Sequence, residues 1–216
     1  MAHHMVKSLL IGGLLVFSAV PVWAHKPTYS SDDYASPSTA FVIQDLDVSI
    51  VVKDEVTCEF PELWLTFENA VPGRSVYVSL LTPYMDALAD FRPSLAVIAP
   101  GLPPPPASFP LAIGAGSGAL IIDTSDVEPE IFYEQFSKRE SRVLFEDWIS
   151  LPQAGTGYIV AWDPLGQEGR LSVAVGTVED FGPADWAKMP EWSAKGRIFH
   201  DRPVPSDSGN LRTCDS

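Results

Sequence analysis

Short runs in which apolar and polar residues alternate recur along most of this chain, and they constrain its fold more than any other feature. The first run covers 46–52, and two more, 63–68 and 76–80, are separated by the turn sequence Val71-Pro72-Gly73-Arg74. A spacing of two puts every second side chain on the same face of a β-strand. The last two runs and the turn between them predict a β-hairpin.

Further alternating runs follow, and the 20 Pro and 15 Gly of the chain cluster mostly between such runs. Helical spacing is confined to 84–91 and to the stretch after Pro183, where Pro190 is expected to interrupt the helix. We therefore predict an all-β fold, an antiparallel β-sandwich of jelly-roll or Ig-like type with about eight strands and short helical segments near the C-terminus. The further candidate strands are 94–99, 118–123, 142–148, 157–162 and 170–175.

The first 24 residues have the pattern of a secretory signal peptide. Lys7 precedes an apolar run from Leu9 to Val22, and the run closes with small residues where the signal peptidase reads the chain. The run is shorter than the roughly 20 apolar residues that a membrane span needs. We expect cleavage after Ala24, which makes His25 the first residue of a periplasmic or extracellular protein that has no membrane segment after cleavage.

Composition divides the rest of the chain into three parts. Residues 25–40 are rich in Ser, Pro, Tyr and Asp and predict an extended N-terminal arm, 41–176 form the sandwich domain, and 177–216 form a C-terminal extension. Cys58 and Cys214 are the two cysteines of the chain. Because an exported protein matures in an oxidising compartment, we expect a disulfide that closes the extension onto the sandwich.

Charge and motif content argue against several functions. The net charge is −14, which disfavours binding to nucleic acid. The glycine run Gly114–Gly118 does not match the nucleophile motif G-x-S-x-G, because Ala115 stands at the first glycine position, and no H-E-x-x-H zinc motif is present. The sequence favours a non-catalytic binding or accessory role, with an extracytoplasmic protein or a carbohydrate as partner.

A copper-binding role is the alternative. After cleavage, His25 carries both an imidazole and a free α-amine, and these two nitrogens can chelate one metal ion, for which copper is the expected metal. This arrangement resembles the histidine brace of lytic polysaccharide monooxygenases and of certain periplasmic copper carriers, which are exported β-sandwiches that begin with His. The resemblance implies a copper-binding protein or copper enzyme that uses His25, with His200 as the second histidine ligand.

Two further hypotheses concern carboxylates. The acidic segment 123–130 offers oxygen ligands of the kind that calcium prefers, although it lacks the EF-hand glycine, and a solvated loop is the competing interpretation. Glycoside cleavage, a third possible function, needs two carboxylates that face each other across a groove. The candidate calcium ligands are Asp123, Asp126, Glu128 and Glu130.

A second family resemblance covers 154–176. The run Gly157-Tyr158-Ile159-Val160 is followed by a polar turn at 163–169 and by a second alternating run that ends at Gly176. This pattern resembles the closing hairpin of the pre-peptidase C-terminal type of secreted bacterial β-sandwich. The resemblance implies a sandwich fold and an accessory role of the kind that such domains have beside exported enzymes.

Overall fold

The structure is a computed structural model that describes residues 25–30, 33–135, 137–207 and 210–214, with the side chain of Asn69 left out. The predicted signal peptide, residues 1–24, lies outside the described residues. The described chain is mostly β-structure, in which two large sheets pack together and one long helix follows near the C-terminus.

The strand positions agree with the alternation of the sequence. All five further candidate strands are confirmed, with bounds that differ from the expected ones by up to three residues. Helix α1 spans Pro183–Asp201, and Asp86–Leu88 form a short 3-10 turn. The strands are β1 (Lys26–Tyr29), β2 (Phe41–Val42), β3 (Ile50–Val56), β4 (Glu62–Ala70), β5 (Ser75–Pro83), β6 (Ser94–Pro100), β7 (Ser117–Ile122), β8 (Glu130–Glu134), β9 (Arg139–Ser150), β10 (Gly155–Trp162), β11 (Gly169–Val175), β12 (Ser206–Asp207) and β13 (Asn210–Leu211).

Both large sheets are mixed, so the prediction of an antiparallel sandwich is wrong in this respect. The six-stranded sheet has the order β1-β3-β11-β5-β9-β8, and the five-stranded sheet has the order β2-β4-β10-β6-β7. Strand β1 runs parallel to β3, and β2 runs parallel to β4. In each case the chain between the parallel partners is longer than a hairpin turn, which leaves it room to return to the same end of the sheet before pairing.

The predicted hairpin of 63–68 and 76–80 is also wrong. Strand β4 pairs with β2 and β10, whereas β5 pairs with β11 and β9, so the turn between them carries the chain from one sheet to the other. Strands β10 and β11, expected to form a closing hairpin, are split between the sheets in the same way. Alternation shows which side chains share a face, and this is the same for a hairpin and for a connection that crosses the core.

The core lies between the two sheets. The inward-facing side chains of the central strands are almost completely buried, and their removal from water is the main favourable term in folding. They belong to both sheets, and along each strand they alternate with outward-facing residues, as a sandwich requires. Representative members are Leu65, Val97 and Ile159 of the five-stranded sheet, and Val78 and Val173 of the six-stranded sheet.

The outer face of the five-stranded sheet is covered by the proline-rich connection between β6 and β7. Trp64, Val160 and Trp162 form a second apolar cluster on this face, and Phe109 of the connection contacts Trp162 edge to face. The backbone N–H of Ala119 donates to a carbonyl of the same connection. The proline-rich segment is therefore a packed connection between neighbouring strands.

Helix α1 covers part of the outer face of the six-stranded sheet. It continues through Pro190, so the expected interruption does not occur. Gly196 allows close packing at mid-helix, because a Cβ atom there would lie 2.8 Å from Cβ of Ser137 and 3.0 Å from the Tyr29 hydroxyl. Trp186, near the start of α1, is 58% exposed and does not cap the core.

The disulfide between Cys58 and Cys214 is confirmed, with Cα atoms 5.3 Å apart. Beside it, the buried carboxylate of Glu168 accepts a hydrogen bond from the backbone N–H of Cys58 and forms an ion pair with Arg212. The backbone N–H of Cys214 donates to the carbonyl of Gly166. The C-terminal extension is thus held on the sandwich by one covalent bond and several polar contacts.

Candidate functional site

The outer face of the six-stranded sheet is polar and buried at the same time. Val52 and Leu171 point into the core, so the neighbouring residues Lys53 and Arg170 point to the opposite side of the sheet. Lys53 is 3% exposed and Arg170 is 1% exposed. The outer face of a sandwich sheet is normally solvated, but here α1 and the β8–β9 hairpin lie over it.

The sheet curls so strongly that distant strands meet over this face. Lys53 belongs to β3 and Glu134 to β8, and three strands separate β3 from β8 in the sheet. In a flat sheet the two strands would lie about 19 Å apart. Nζ of Lys53 nevertheless lies 3.3 Å from Oε1 of Glu134. The curl therefore encloses a polar space between the sheet, the hairpin and the helix.

Lys53 and Glu134 influence both histidines of the described chain. Nε2 of His200, near the end of α1, is 3.9 Å from Oε2 of Glu134. His25 precedes β1, and its Nδ1 lies 2.5 Å from Oγ of Ser49. The charge of Glu134 raises the pKa of each imidazole, and the charge of Lys53 lowers it. One buried ion pair thus acts on two histidines that are far apart in the sequence.

Burial keeps both imidazoles uncharged at neutral pH. Desolvation lowers the pKa of His25 to about 4, against the opposing effect of Glu134 and with a further lowering by Lys53. Desolvation, followed by the charge of Lys53, also lowers the pKa of His200 to about 4. Burial tends to raise the pKa of Glu134, but Lys53, the donating hydroxyl of Ser137 and His200 outweigh this effect and lower it.

The ring nitrogens of His200 lack hydrogen-bond partners among the described residues. The side chain is buried, with 5% of the residue exposed, and neither Nδ1 nor Nε2 makes a hydrogen bond of standard geometry. The backbone of Glu140 favours the protonated ring, although no hydrogen bond of standard geometry joins the two. Buried polar atoms are nearly always paired in native proteins, so two unpaired ring nitrogens mark a position where a ligand can bind.

The lowered pKa values predict acid destabilisation of the metal-free protein. In the folded state both histidines bind protons only near pH 4, whereas in the unfolded chain they do so near pH 6.5. Their stabilising effect is therefore fully present above pH 6.5 and is lost as the pH falls towards 4. A pKa shift of this size corresponds to a loss of about 3 kcal/mol in the free energy of unfolding for each histidine. Urea unfolding in the presence of a chelator, followed from pH 7 to pH 4, measures this loss.

A matched variant assigns the loss to the histidines. His200→Gln removes one of the two titrating rings, and we expect the slope of unfolding free energy against pH between 4 and 6.5 to fall to about half. Glu134 has a lowered pKa, so its contribution to stability is lost mainly below its unfolded value of 4.5, at the lower end of this window. An unfolding free energy that stays constant over this window would contradict the assigned pKa values.

The described residues contain one group of three or more potential metal ligands whose ligand atoms lie mutually close, namely Cys58, Glu168 and Cys214. The two sulfur atoms of that group are joined in the disulfide, so they are not available to a metal ion. His25, His200 and Glu134 are neighbours but do not form a closed three-ligand site.

The four candidate calcium ligands do not form such a group either. Asp123 follows β7, and its Oδ1 accepts a hydrogen bond from the backbone N–H of Ser125. Asp126 and Glu128 lie in the connection to β8, and Glu130 is the exposed first residue of β8. The structure places these carboxylates along a turn and the start of a strand.

Sequence reasoning did not identify Lys53 or Glu134 as site residues. One usable signal was present, because three charged residues at 53–55 interrupt the otherwise apolar strand Ile50–Val56. Two of them, Lys53 and Asp54, are at least nine-tenths buried. A charge in a buried strand indicates a covered polar face, but its partner on β8 could be identified only from the curl of the sheet.

The long helix α1 does not have the character of a membrane span. No helix within the described ranges is both long enough and apolar enough to cross a bilayer.

The chain matches no protein-family model and no curated protein.

Proposed function

We propose that this protein is exported and binds one copper ion through His25 and His200. The observation that supports the proposal is that the carboxylate of Glu134 lies 3.9 Å from His200 and also influences the pKa of His25, although the two histidines are far apart in the sequence. A structural role for one buried histidine needs no second histidine under the same charges. Two buried, uncharged imidazoles that share this influence favour a common ligand.

The donor atoms fit copper. Uncharged imidazoles are good ligands for copper, and the lowered pKa values keep both rings uncharged at neutral pH. The ring nitrogens of His200 are unpaired, and Nδ1 of His25 would exchange its contact with Ser49 for the metal. Cleavage after Ala24 would add the α-amine of His25 as a third nitrogen. Copper in such a site supplies either a one-electron redox centre or an ion to be delivered.

The neighbouring charges favour nitrogen ligands over the carboxylate. Lys53 already forms an ion pair with Glu134, so the negative charge of that carboxylate is largely neutralised. The described residues form no further close ligand group at this position. A copper-binding role requires no catalytic step, and it therefore agrees with the sequence expectation of a non-catalytic binding protein.

Isothermal titration of the mature protein with Cu(II), after treatment with a chelator, tests the proposal. We expect one tight site per chain, and we expect His200→Ala to weaken binding by about 100-fold, because it removes one of three nitrogen ligands. A protein that retains Ala24 ahead of His25 has an amide in place of the amine. We expect this extended form to bind copper at least as weakly as His200→Ala does.

The matched control addresses binding by exposed carboxylates, which are abundant in a chain of net charge −14. Asp126→Asn in the exposed loop should leave the affinity for copper unchanged. Equal copper binding by the mature protein, the extended form and His200→Ala would show that copper binds elsewhere. Electron paramagnetic resonance of the Cu(II) protein should show nitrogen hyperfine splitting, which a carboxylate site would lack.

A further inference from the structure

A cavity of about 400 Å³ opens on the outer face of the six-stranded sheet, next to His25. Its walls include three aromatic side chains, Tyr77, Phe132 and Trp148, and the carboxylate of Glu146. The volume is far larger than a single metal ion needs and falls within the range of sites for small organic molecules.

The aromatic wall follows from the strand register. Tyr77 of β5 lies opposite Trp148 of β9, and the two rings are in edge-to-face contact with centroids 5.7 Å apart. Phe132 belongs to β8. Its side chain lines the same cavity as Tyr77 and Trp148, because the β8–β9 hairpin curls over the sheet. Trp148 remains 53% exposed, so a large apolar ring is left partly in water.

The carboxylate of Glu146 is held at the aromatic wall. Its Oε2 accepts a hydrogen bond of 2.9 Å from the hydroxyl of Tyr77. The neighbouring residue Asp147 lies opposite the core residue Val78, so its side chain points to the other face of β9. The position of one negative charge at the wall is therefore defined by the sheet itself.

Within the part of the chain that the structure describes, the charge of Glu146 is not balanced by an ion pair. Glu55, Glu134 and Glu168 each form an ion pair with a Lys or Arg, whereas no described ion pair involves Glu146. The described lining of the cavity includes neither Lys nor Arg. Negative charge beside aromatic faces, which are themselves electron-rich, is the environment that attracts a cation of low charge density.

We propose that this cavity binds an organic ammonium compound, with its ammonium group against Tyr77, Phe132 and Trp148 and beside the carboxylate of Glu146. An anionic ligand would be repelled by this carboxylate. A hydrated inorganic cation would gain little from the aromatic rings, whereas a methylated ammonium group is weakly hydrated and contacts ring faces well. The inference rests on the lining of the cavity and does not require copper.

Choline is the probe that tests this inference, and 3,3-dimethyl-1-butanol is its neutral analogue of the same shape. Both are titrated calorimetrically into the mature protein after chelator treatment. We expect saturable binding of choline and binding of the neutral analogue that is about tenfold weaker, since the shape is shared and only the charge differs. Choline binding should weaken as the salt concentration rises.

Variants locate the site. Trp148→Ala and Glu146→Gln should each weaken choline binding by about tenfold, and the amide of the second variant can still accept the hydrogen bond from Tyr77. Trp186→Ala is the matched control, because Trp186 is similarly exposed but lies on α1 and does not line the cavity. It should leave choline binding unchanged. Circular dichroism and thermal unfolding of each variant verify that it is folded.

Three outcomes would overturn the inference. These are no choline binding by the folded protein, equal binding of choline and its neutral analogue, or equal effects of Trp148→Ala and Trp186→Ala. Binding of a soluble oligosaccharide at the same position without binding of choline would identify a carbohydrate site instead. His200→Ala should retain choline binding, so failure of the copper proposal and failure of this one are distinguishable.

Discussion

Replacing Cys58 and Cys214 together by alanine is expected to lower the free energy of unfolding by about 5 kcal/mol. The disulfide joins residues that are 156 positions apart, so in the unfolded protein it closes a loop that contains most of the chain. Loss of the bond releases the conformational entropy of that loop, and the cost grows with the logarithm of its length. Urea unfolding of the oxidised protein and of the double variant measures the difference.

Reduction provides the matched control for this prediction. Dithiothreitol should destabilise the unsubstituted protein by a similar amount and should have no effect on the double variant. The contacts between Glu168 and Arg212 and between Cys214 and Gly166 remain in the variant, so the folded structure should be retained. A loss below about 1 kcal/mol would contradict a stabilising role of the disulfide.

Arg170→Met is expected to lower the free energy of unfolding by about 3 to 5 kcal/mol. The buried guanidinium donates hydrogen bonds to the backbone carbonyls of Phe199, Arg202 and Pro203, at the end of α1, and forms an ion pair with Glu55. Methionine fills much of the same volume but leaves the carbonyls without this donor and weakens the pairing of the carboxylate. Unfolding in urea measures the cost, and hydrogen exchange of residues 183–201 shows whether the helix detaches first.

Arg197→Ala is the matched control, since Arg197 is an exposed arginine on the same helix with a single hydrogen bond to Ser193. It should change stability by no more than about 0.5 kcal/mol. Equal effects of the two substitutions would contradict the role assigned to Arg170. Faster exchange along α1 in Arg170→Met alone would identify this side chain as the main link between helix and sheet.

The link between α1 and the sheet also matters for the candidate copper site. His200 lies on the last turn of α1, between Phe199, whose carbonyl binds Arg170, and Asp201, which forms an ion pair with Arg139 of β9. The position of the His200 ring beside Glu134 thus depends on the contacts that the residues immediately before and after it make with the sheet. Weaker copper binding in Arg170→Met at a pH where the protein is folded would follow from this arrangement.

The strands themselves were predictable because alternation is a local property. A buried strand face must be apolar at every second residue, and this condition holds whichever neighbour the strand pairs with. Strands β6, β7, β9, β10 and β11 were therefore located from the sequence within a few residues. The pairing of Cys58 with Cys214 was predictable for a different reason, since the chain has two cysteines and each has one possible partner.

The division of strands between the sheets was not predictable in this way. Strands β4 and β5 follow each other through a short turn with hairpin composition, yet they belong to different sheets. The backbone hydrogen bonds that decide the pairing involve the edges of a strand, where every residue carries the same N–H and C=O groups. Side-chain periodicity does not distinguish these edges, so the prediction of a hairpin was wrong.

The sequence by itself determined the positions of most strands, the two partners of the disulfide and the identity of the histidines that could bind a metal. Only the tertiary structure decided that Lys53 and Glu134 are buried together, that this ion pair acts on both His25 and His200, and that Trp148 lines a cavity beside the carboxylate of Glu146. The physical reason is that burial of a polar outer face depends on how far the sheet curls and on where the helix packs. Both result from contacts between residues that are distant in the chain, which no local pattern records.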